Sequence, residues 1–409
     1  MLAAKIKSKD KQLDRDNVFE AERGLRLLKS VGVYGANAGG KTNLIKAILF
    51  MKYFVLSLSQ DRHGSQLGDL EVFRLDTMTR DRPSLFEVVF LLSGHRYRYG
   101  FEIDKNQVVS EWLFRVPSSR EARLFVREGD RFTVSGKFRE ARRLQAQTRK
   151  DVLFLSVLAR YNDPVAMEIQ GWFEDLDAFL AGLDPFYGWR SYEYMKDDAY
   201  RRRVTDFVER LDLGIAAVKI EETPHPVTDA MSELPDYMRK MMWLTSEGKR
   251  IRIGTVHHLR NEEGGLTGTE TFDLERQESA GTQKLFAMAG LMVDVLSKGS
   301  VLVADELDAR LHPLITSTIV RMFHSPEANP NNAQLIFTTH DTNLLRPGLL
   351  RRDQIWFVEK DEVEASHLHS LVEYRIRNDA IYEKDYLLGK YGAIPLLGGL
   401  QSIWEHDDV

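Results

Sequence analysis

The 409-residue sequence contains no cysteine. That absence excludes disulfides, thiolate metal sites and cysteine nucleophiles. No run approaches 18 apolar residues, so no segment reads as a membrane-spanning helix. The opening residues, MLAAKIKSKDKQLDRD, lack the apolar core that a signal peptide needs after its first lysine, and a cytoplasmic protein is the expectation. An excess of positive charge is missing too. With 56 Lys and Arg against 61 Asp and Glu, the net charge of -5 gives no global attraction to nucleic acid or acidic membranes, although local basic patches are allowed. Internal repeats and low-complexity tracts are also absent. What remains is 43% apolar and 29% charged, the composition of a soluble globular protein. Its length suits two domains, or one large domain carrying an insertion.

One stretch dominates what is present. Residues 31–48, VGVYGANAGGKTNLIKAI, read as a short buried strand, a glycine-rich turn and the start of a helix. Inside lies G-x-x-x-x-G-K-[ST], with Gly35, Gly40, Lys41 and Thr42 in the fixed places. Glycines let backbone N–H groups curl round a phosphate, and the helix N-terminus adds partial positive charge. Lys41 is expected to reach the terminal phosphates of a nucleotide, and the Thr42 hydroxyl to hold Mg²⁺. Asn37, Gly39 and Asn43 share this loop and helix start and complete the candidate nucleotide-binding set. A random chain of this size carries the pattern roughly once in a hundred. The strand residues Val31, Val33 and Tyr34 and the helical Leu44, Ile45, Ile48 and Leu49 supply its context. The plainer alternative is a glycine turn capping an ordinary helix.

Residues 1–30 are polar and weakly patterned, leaving little room for a strand pair before the P-loop. From Leu85 the period changes to two. SLFEVVFLL, a Ser93-Gly94 turn and YRYGFEI predict a hairpin. VVSEWLFRV and ARLFVRE extend it into a meander across a Pro117-Ser118-Ser119 turn, and RFTVSG adds a further strand. Residues 138–149 predict a basic helix carrying Arg139, Arg142, Arg143 and Arg149, with Lys150 next. It is either a solvated face or a contact for a phosphate backbone. Helices over 164–180 and 200–211 follow, then strands over 215–221 and 249–257.

The last third alternates buried-type strands (SVLVADEL, AQLIFTTHDTNLL, QIWFVEK) with helices over 282–297 and 314–323. That alternation predicts a parallel sheet covered on both faces, with ligands at the carboxyl ends of its strands. The P-loop, Asp305-Glu306 and His340 each fall at such an end. Asp305 stands where a P-loop NTPase places the carboxylate that holds Mg²⁺ through water. Glu306 beside it can polarise the attacking water as general base. ESAGTQK puts Ser279, Gly281 and Thr282 at a helix entry, either a second phosphate-suited N-terminus or a plain N-cap. For His340, after T-T at a strand end, a satisfied structural histidine is the plainer alternative.

The order of P-loop, long insertion, S-x-G helix start, D-E strand and strand-end histidine resembles the ATP-binding-cassette ATPases, more narrowly their SMC, RecF and OLD-like branch. YGANAGGKTNL, PSLFEVVF, YRYGF, EWLF, ARLF, TRKDVLFLS, ESAGTQKLF, DELDARLHP, TTHDTNLL and KYGAIPLLGG look like the RloA/AbiL-type AAA-family ATPases over nearly the whole chain. The resemblance implies an α/β P-loop NTPase fold of ABC-ATPase type, with a parallel core sheet, an antiparallel β meander and an α-rich insertion between the P-loop lobe and the signature lobe. The corresponding divisions are residues 1–135 for the P-loop and meander, 136–268 for a mainly helical insertion, and 269–409 for the signature, carboxylate strand, switch histidine and tail. It also implies that Ser279 and Gly281, with Thr282 beside them, touch the terminal phosphate of ATP held by a second protomer. His340 is then the switch histidine, catalytic alongside Glu306, and Asp308 belongs to a loop crossing the dimer interface. ATP and Mg²⁺ are the implied cofactors, sandwiched in an ATP-dependent homodimer or higher oligomer.

Two departures stand out. Relatives usually carry Ser where Gly39 stands, at a position that offers mainly backbone. They also open with a strand and an N-F-R-S-F-like segment beside the adenine, which the roughly thirty residues before the P-loop strand lack. Either the native start lies further upstream or the adenine face is formed differently. The glutamine that senses the terminal phosphate has no assigned place: Phe73-Arg74-Leu75-Asp76 occupies the equivalent stretch, and Gln66 is the nearest glutamine.

The resemblance links the chain to abortive infection and phage defence. The leading expectation is an ATP-hydrolysing switch serving a separate effector protein, a TOPRIM-like nuclease or a toxin, because the roughly seventy residues after His340 leave no comfortable room for such a domain. A DNA-repair ATPase of the RecF class is the second expectation, with nucleic acid as partner; the lack of a long heptad coiled coil argues against SMC proper. A nucleotide-binding scaffold without turnover is the third. GTP in place of ATP stays open, since no base-reading motif is visible.

Overall fold

The computed structural model describes residues 2–7, 10–57, 66–116, 120–136, 138, 141–211, 213–225, 234–376 and 380–395. The Pro117-Ser118-Ser119 turn, Arg139 and the end of the KYGAIPLLGG segment lie outside them. In chain order the strands are β1 (Val18–Glu22), β2 (Leu25–Leu28), β3 (Ser30–Tyr34), β4 (Ser84–Leu92), β5 (His95–Ile103), β6 (Val108–Val116), β7 (Ala122–Glu128) and β8 (Arg131–Val134). Then come β9 (Asp177–Phe179), β10 (Ile215–Pro224), β11 (Lys249–Arg260), β12 (Leu266–Asp273), β13 (Val301–Ala304), β14 (Gln334–Thr338), β15 (Ile355–Lys360) and β16 (Ser366–Ser370). The α/β class expected from the sequence, with parallel strands and an antiparallel meander, is present. The chain divides into two compact units, Met1–Lys9 with Val18–Leu176 and Arg351–Val409, and Asp10–Asn17 with Asp177–Leu350. Among the described residues no helix is long and apolar enough to cross a membrane.

In the first unit β3 is buried at every position, as befits a strand covered on both faces. β15 runs parallel to it and β16 antiparallel to β15. The P-loop helix, Lys41–Leu56, follows β3. Its inner face packs on the meander, which runs in the order β4-β5-β6-β7-β8. Phe50 and Phe54 meet Phe86 and Phe101, and the helices Phe154–Arg160 and Pro164–Glu174 close the same core.

The stretch before the P-loop departs from expectation. β1 and β2 form an antiparallel hairpin turned at Gly24 (φ 82°), and Leu28 donates to Leu2 O, adding the first residues alongside β2. The strands are only five and four residues long and only Val18 and Leu28 are buried, so their apolar signal is thin. Those two side chains join Val31, Val33, Trp356 and Val358 in one cluster. The basic segment also differs. Among its described residues only Ala141–Leu144 is α-helical, Gln145–Gln147 tightens to a 3₁₀ turn, and Arg149 pairs with Asp151 at 2.6 Å.

A buried polar network ties this unit's helices to the meander. Glu111 on β6, fully buried, accepts from the backbone N–H of Phe154 (2.6 Å) and Leu155 (3.0 Å) and from Tyr99 Oη (3.0 Å). It thereby caps the Phe154–Arg160 helix, which has no side-chain cap of its own. Arg127 lies 3.9 Å from it and donates to the carbonyls of Gly129, Arg149 and Val152.

In the second unit three parallel strands lie in the order β14-β13-β9. The Ala280–Lys298 helix is buried from Lys284 to Leu296. The Asp184–Tyr194 helix crosses it, and Ser191 Oγ donates to Phe286 O at 2.7 Å and accepts from Gly290 N at 3.0 Å. β10, β11 and β12 form a separate antiparallel sheet with β11 central. Among its described residues the segment expected to be mainly helical, 136–268, carries most of its helices up to Glu209 and, from Ile215 onward, the strands β10 to β12 with one short helix, Asp236–Met241.

Removing one partner of a buried charge pair costs about 3–5 kcal/mol. Glu111→Ala is therefore expected to lower unfolding free energy by about that amount in urea titration, and Glu111→Gln, which keeps an acceptor, by clearly less. Equal stability of the alanine variant and wild type would remove the network from the account of this unit.

Candidate functional site

β3 delivers the chain to Gly35, and the loop closes at Gly40, the N-cap of the Lys41–Leu56 helix. Two loop residues adopt left-handed backbone, Ala38 at φ 60° and Gly40 at φ 110°. Gly40 must be glycine for a second reason: a Cβ there would run into Ser366 Oγ on β16. Ser366 Oγ also donates to Gly39 O at 2.9 Å, so β16 braces the loop from behind. The buried Lys41 folds over the loop, Nζ donating to Gly35 O (2.9 Å) and Ala36 O (3.0 Å). Asn37, Thr42 and Asn43 are exposed, and no side-chain hydrogen bond caps the helix start. A helix N-terminus without a side-chain cap, backbone that can be approached closely and a lysine at its base fit a phosphate group.

The carboxylates lie in the second unit. β13 ends at Ala304, and the buried Asp305 accepts from Thr338 Oγ1 at 2.6 Å while its N–H donates to Phe179 O on β9. The same Thr338 hydroxyl accepts from Glu306 N at 2.8 Å. One residue at the end of β14 therefore fixes both acidic positions. Glu306 adopts φ 47° and Arg310 φ 64°, left-handed backbone that non-glycine residues rarely take. Asp308 accepts from the backbone N–H of His340 at 3.2 and 3.3 Å, joining the loop after β13 to the exposed histidine after β14.

The Ser279–Thr282 turn belongs to the same unit. Ser279 is the N-cap of the Ala280–Lys298 helix, its Oγ accepting from Thr282 N at 3.1 Å and lying 2.9 Å from Thr282 Oγ1. The cap considered as the plainer alternative is thus formed, and it leaves Ser279 exposed. A Cβ on Gly281 would come within 2.7 Å of Arg310 O, so glycine here lets the turn approach the loop after β13. Deeper in the helix Lys284 Nζ donates to three carbonyls, Glu306 O (2.8 Å), Leu307 O (3.1 Å) and Ala309 O (2.9 Å). Burial pulls its pKa down to about 8, against the raising influence of Asp184, Asp308 and Glu306.

The nucleotide-binding set from Gly35 to Asn43 is therefore one continuous loop of the first unit. Ser279, Gly281, Thr282, Asp305, Glu306, Asp308 and His340 all belong to the second unit. Gln66 falls on the short 3₁₀ turn Gln66–Asp69, while Phe73 and Leu75 are exposed. Sequence reasoning missed Thr338, Lys284 and Ser366. A lysine leading the apolar run KLFAMAGLMV was the one available signal, because an ammonium there has to find carbonyls. Ser366 lies 327 positions from its partner Gly39, and no spacing rule connects them.

A strand, a glycine loop and a helix with a buried lysine at its start are the parts of a P-loop nucleotide-binding domain, the class to which AAA domains belong. The chain belongs to the family described as "AAA domain, putative AbiEii toxin, Type IV TA system", whose model matches residues 30–346. None of the curated proteins matches it. Among solved structures it is similar to an SMC head bound to the C-winged helix domain of ScpA, at 14% identity and TM-score 0.46 over 84% of this chain and 92% of that one. It is also similar to the SMC head domain from Thermotoga maritima, at 13% identity and TM-score 0.39 over 86% and 95%. A third is the recombination mediator RecF with ATP, at 12% identity and TM-score 0.30 over 83% and 93%.

Lys284 gives a signed pH test. Its folded pKa of about 8 lies below the value of about 10.4 for an unfolded chain. Between those values the unfolded state holds the extra proton, so this group's contribution to stability grows as pH rises through the window and is lost as pH falls through 8. The stability gap between wild type and Lys284→Met, read by denaturant titration, is expected to widen from pH 8 to 10. A gap independent of pH would show that the ammonium is not held as described.

Proposed function

We propose that this chain hydrolyses ATP and works as a nucleotide-driven switch in phage defence of the abortive-infection kind. The observation that carries the hydrolytic part is the Thr338 bridge, which fixes Asp305 and Glu306 together at the end of β13. A glutamate kept in left-handed backbone, where glycine would relieve the strain, also supports a role beyond structure.

In this reading the loop from Gly35 to Thr42, with Asn37, Gly39 and Asn43, binds the ATP phosphates through backbone N–H groups, and Lys41 leaves its own loop carbonyls for the terminal phosphates. Mg²⁺, when bound, neutralises charge developing on the phosphates, and Thr42 and Asp305 are the residues that would hold it. Glu306 takes the proton of the attacking water, and His340, tethered through its backbone to Asp308, orients that chemistry. Ser279, Gly281 and Thr282 contact the terminal phosphate of ATP bound to a second copy, so ATP closes a homodimer and hydrolysis reopens it. Asp308 sits in the loop that such a dimer buries. A separately encoded effector, a nuclease or toxin, reads the switch in the cytoplasm. The toxin–antitoxin wording of the matched family supports that setting.

Removal of a general base costs about 10²–10⁴ in rate. Glu306→Gln is expected to lose turnover by about that factor while an ATP-bound dimer accumulates on size exclusion with light scattering. Lys41→Ala should abolish nucleotide binding itself, measured by a fluorescent ATP analogue. Wild-type turnover that Glu306→Gln leaves intact would sink the catalytic assignment.

A further inference from the structure

Glu278 stands one residue before Ser279 and is the first side chain of the turn to be drawn inward, while Glu275, Arg276, Gln277 and Ser279 around it are exposed. Its Oε1 lies 2.7 Å from His257 Nε2 and also accepts from Thr255 Oγ1. Both donors come from β11, two residues apart, and so stand on one face of that strand. They are held in their turn. Thr255 is buried beside Phe272 O (3.3 Å), and the His257 ring lies 4.7 Å from the Phe272 ring on β12. β11 is the central strand of its sheet, paired on both sides through this region, with Thr255 opposite Val218 and Phe272. The turn thus meets a rigid surface rather than a mobile loop.

A carboxylate next to a phosphate-contacting serine is an electrostatic liability unless its charge is directed elsewhere. Two donors on one oxygen draw the charge of Glu278 toward the sheet and fix the backbone that enters Ser279. Downstream, Gln283 Nε2 donates to Glu278 O at 3.1 Å, closing the turn from the other side.

We infer that Thr255, His257 and Glu278 form a positioning relay by which the β10-β11-β12 sheet sets the placement and charge environment of the Ser279–Thr282 turn toward ATP held by a second subunit. The inference rests on the ATPase reading above and adds to it a route by which that sheet reaches the chemistry. None of the three residues touches the nucleotide. Losing the relay should therefore affect the step the turn serves and leave the P-loop's own affinity alone.

Small misplacements of positioning groups cost on the order of 10²-fold in rate, and loss of a fixed donor about as much. His257→Leu and Thr255→Val are each expected to lower kcat at saturating ATP by at least about tenfold. Binding of a fluorescent ATP analogue to the isolated subunit should stay within about twofold. His257→Gln retains an N–H donor and should recover most of the rate. The double variant His257→Leu with Glu278→Gln removes the unmatched charge and should recover part of it. Should His257→Leu and Thr255→Val both turn over ATP like wild type, or His257→Gln fail as His257→Leu does while melting normally, the relay is wrong. If wild type binds ATP and dimerises without turnover, the relay is read instead as an equally weakened dimer in the same variants. Wild type with neither ATP-dependent dimer nor turnover overturns both readings.

Discussion

Three backbone carbonyls that follow β13 converge on one ammonium, Lys284 Nζ, and much of the second unit depends on that interaction. The turn from Asp305 to Arg310 has little regular structure to hold it. It contains two residues in left-handed backbone, and its carbonyls at Glu306, Leu307 and Ala309 converge on one point. Left to themselves, carbonyl oxygens brought together repel, and a turn with two such φ values would relax. A buried cation resolves both problems, because hydrogen bonds to a charged donor are stronger than neutral ones, at about 1.5–3 kcal/mol. The cost of burying the charge appears as the depressed pKa of Lys284.

The same helix that supplies Lys284 begins at Ser279 and is packed along its length. Ser191 reaches its backbone at Phe286 and Gly290, so the helix has little freedom to slide. Gly281 lies against Arg310 O, and Asp308 is tied to His340 N. The S-x-G turn, the carboxylate pair and the histidine are consequently parts of one rigid assembly within their unit. In the first unit the P-loop has a comparable brace in Ser366 and Val358, which occupy the space behind its glycines. Each half of the candidate chemistry is preorganised by its own unit, a precondition for electrostatic catalysis.

How much of this could be read from the sequence follows from how local each signal is. The P-loop, the carboxylates after an apolar strand and the alternating strands of the meander are contiguous patterns, and their element types were legible. β1 and β2 were not, because short strands with one buried residue each carry almost no period. The basic segment was overread as a helix; a run of arginines has high helical propensity, yet Arg149 takes its partner from Asp151 and the backbone tightens into a 3₁₀ turn. Candidate site residues were found wherever a motif named them. Their supports, Thr338, Lys284 and Ser366, were not, since each acts across a fold distance that no spacing encodes. Ser279 shows the limit from the other side, because a phosphate-facing serine and a helix N-cap look identical in sequence, and the structure shows the cap formed.

That double identity bears on how such a turn can work. A serine engaged as N-cap accepts a backbone N–H through Oγ, but its hydroxyl can still donate, and here Ser279 Oγ lies 2.9 Å from Thr282 Oγ1. In the proposed dimer a phosphate oxygen would accept from that hydroxyl without breaking the cap. Structural and ligand-facing roles are then compatible in one residue, provided the turn is fixed closely enough that Oγ need not move. The fixing comes from both sides, from Lys284 one turn into the helix and from Glu278 one residue before it. A turn clamped at both ends offers its hydroxyl and first N–H groups without reorganisation, which is what the proposed contact to a second copy's nucleotide requires if it is to form at little further entropic cost.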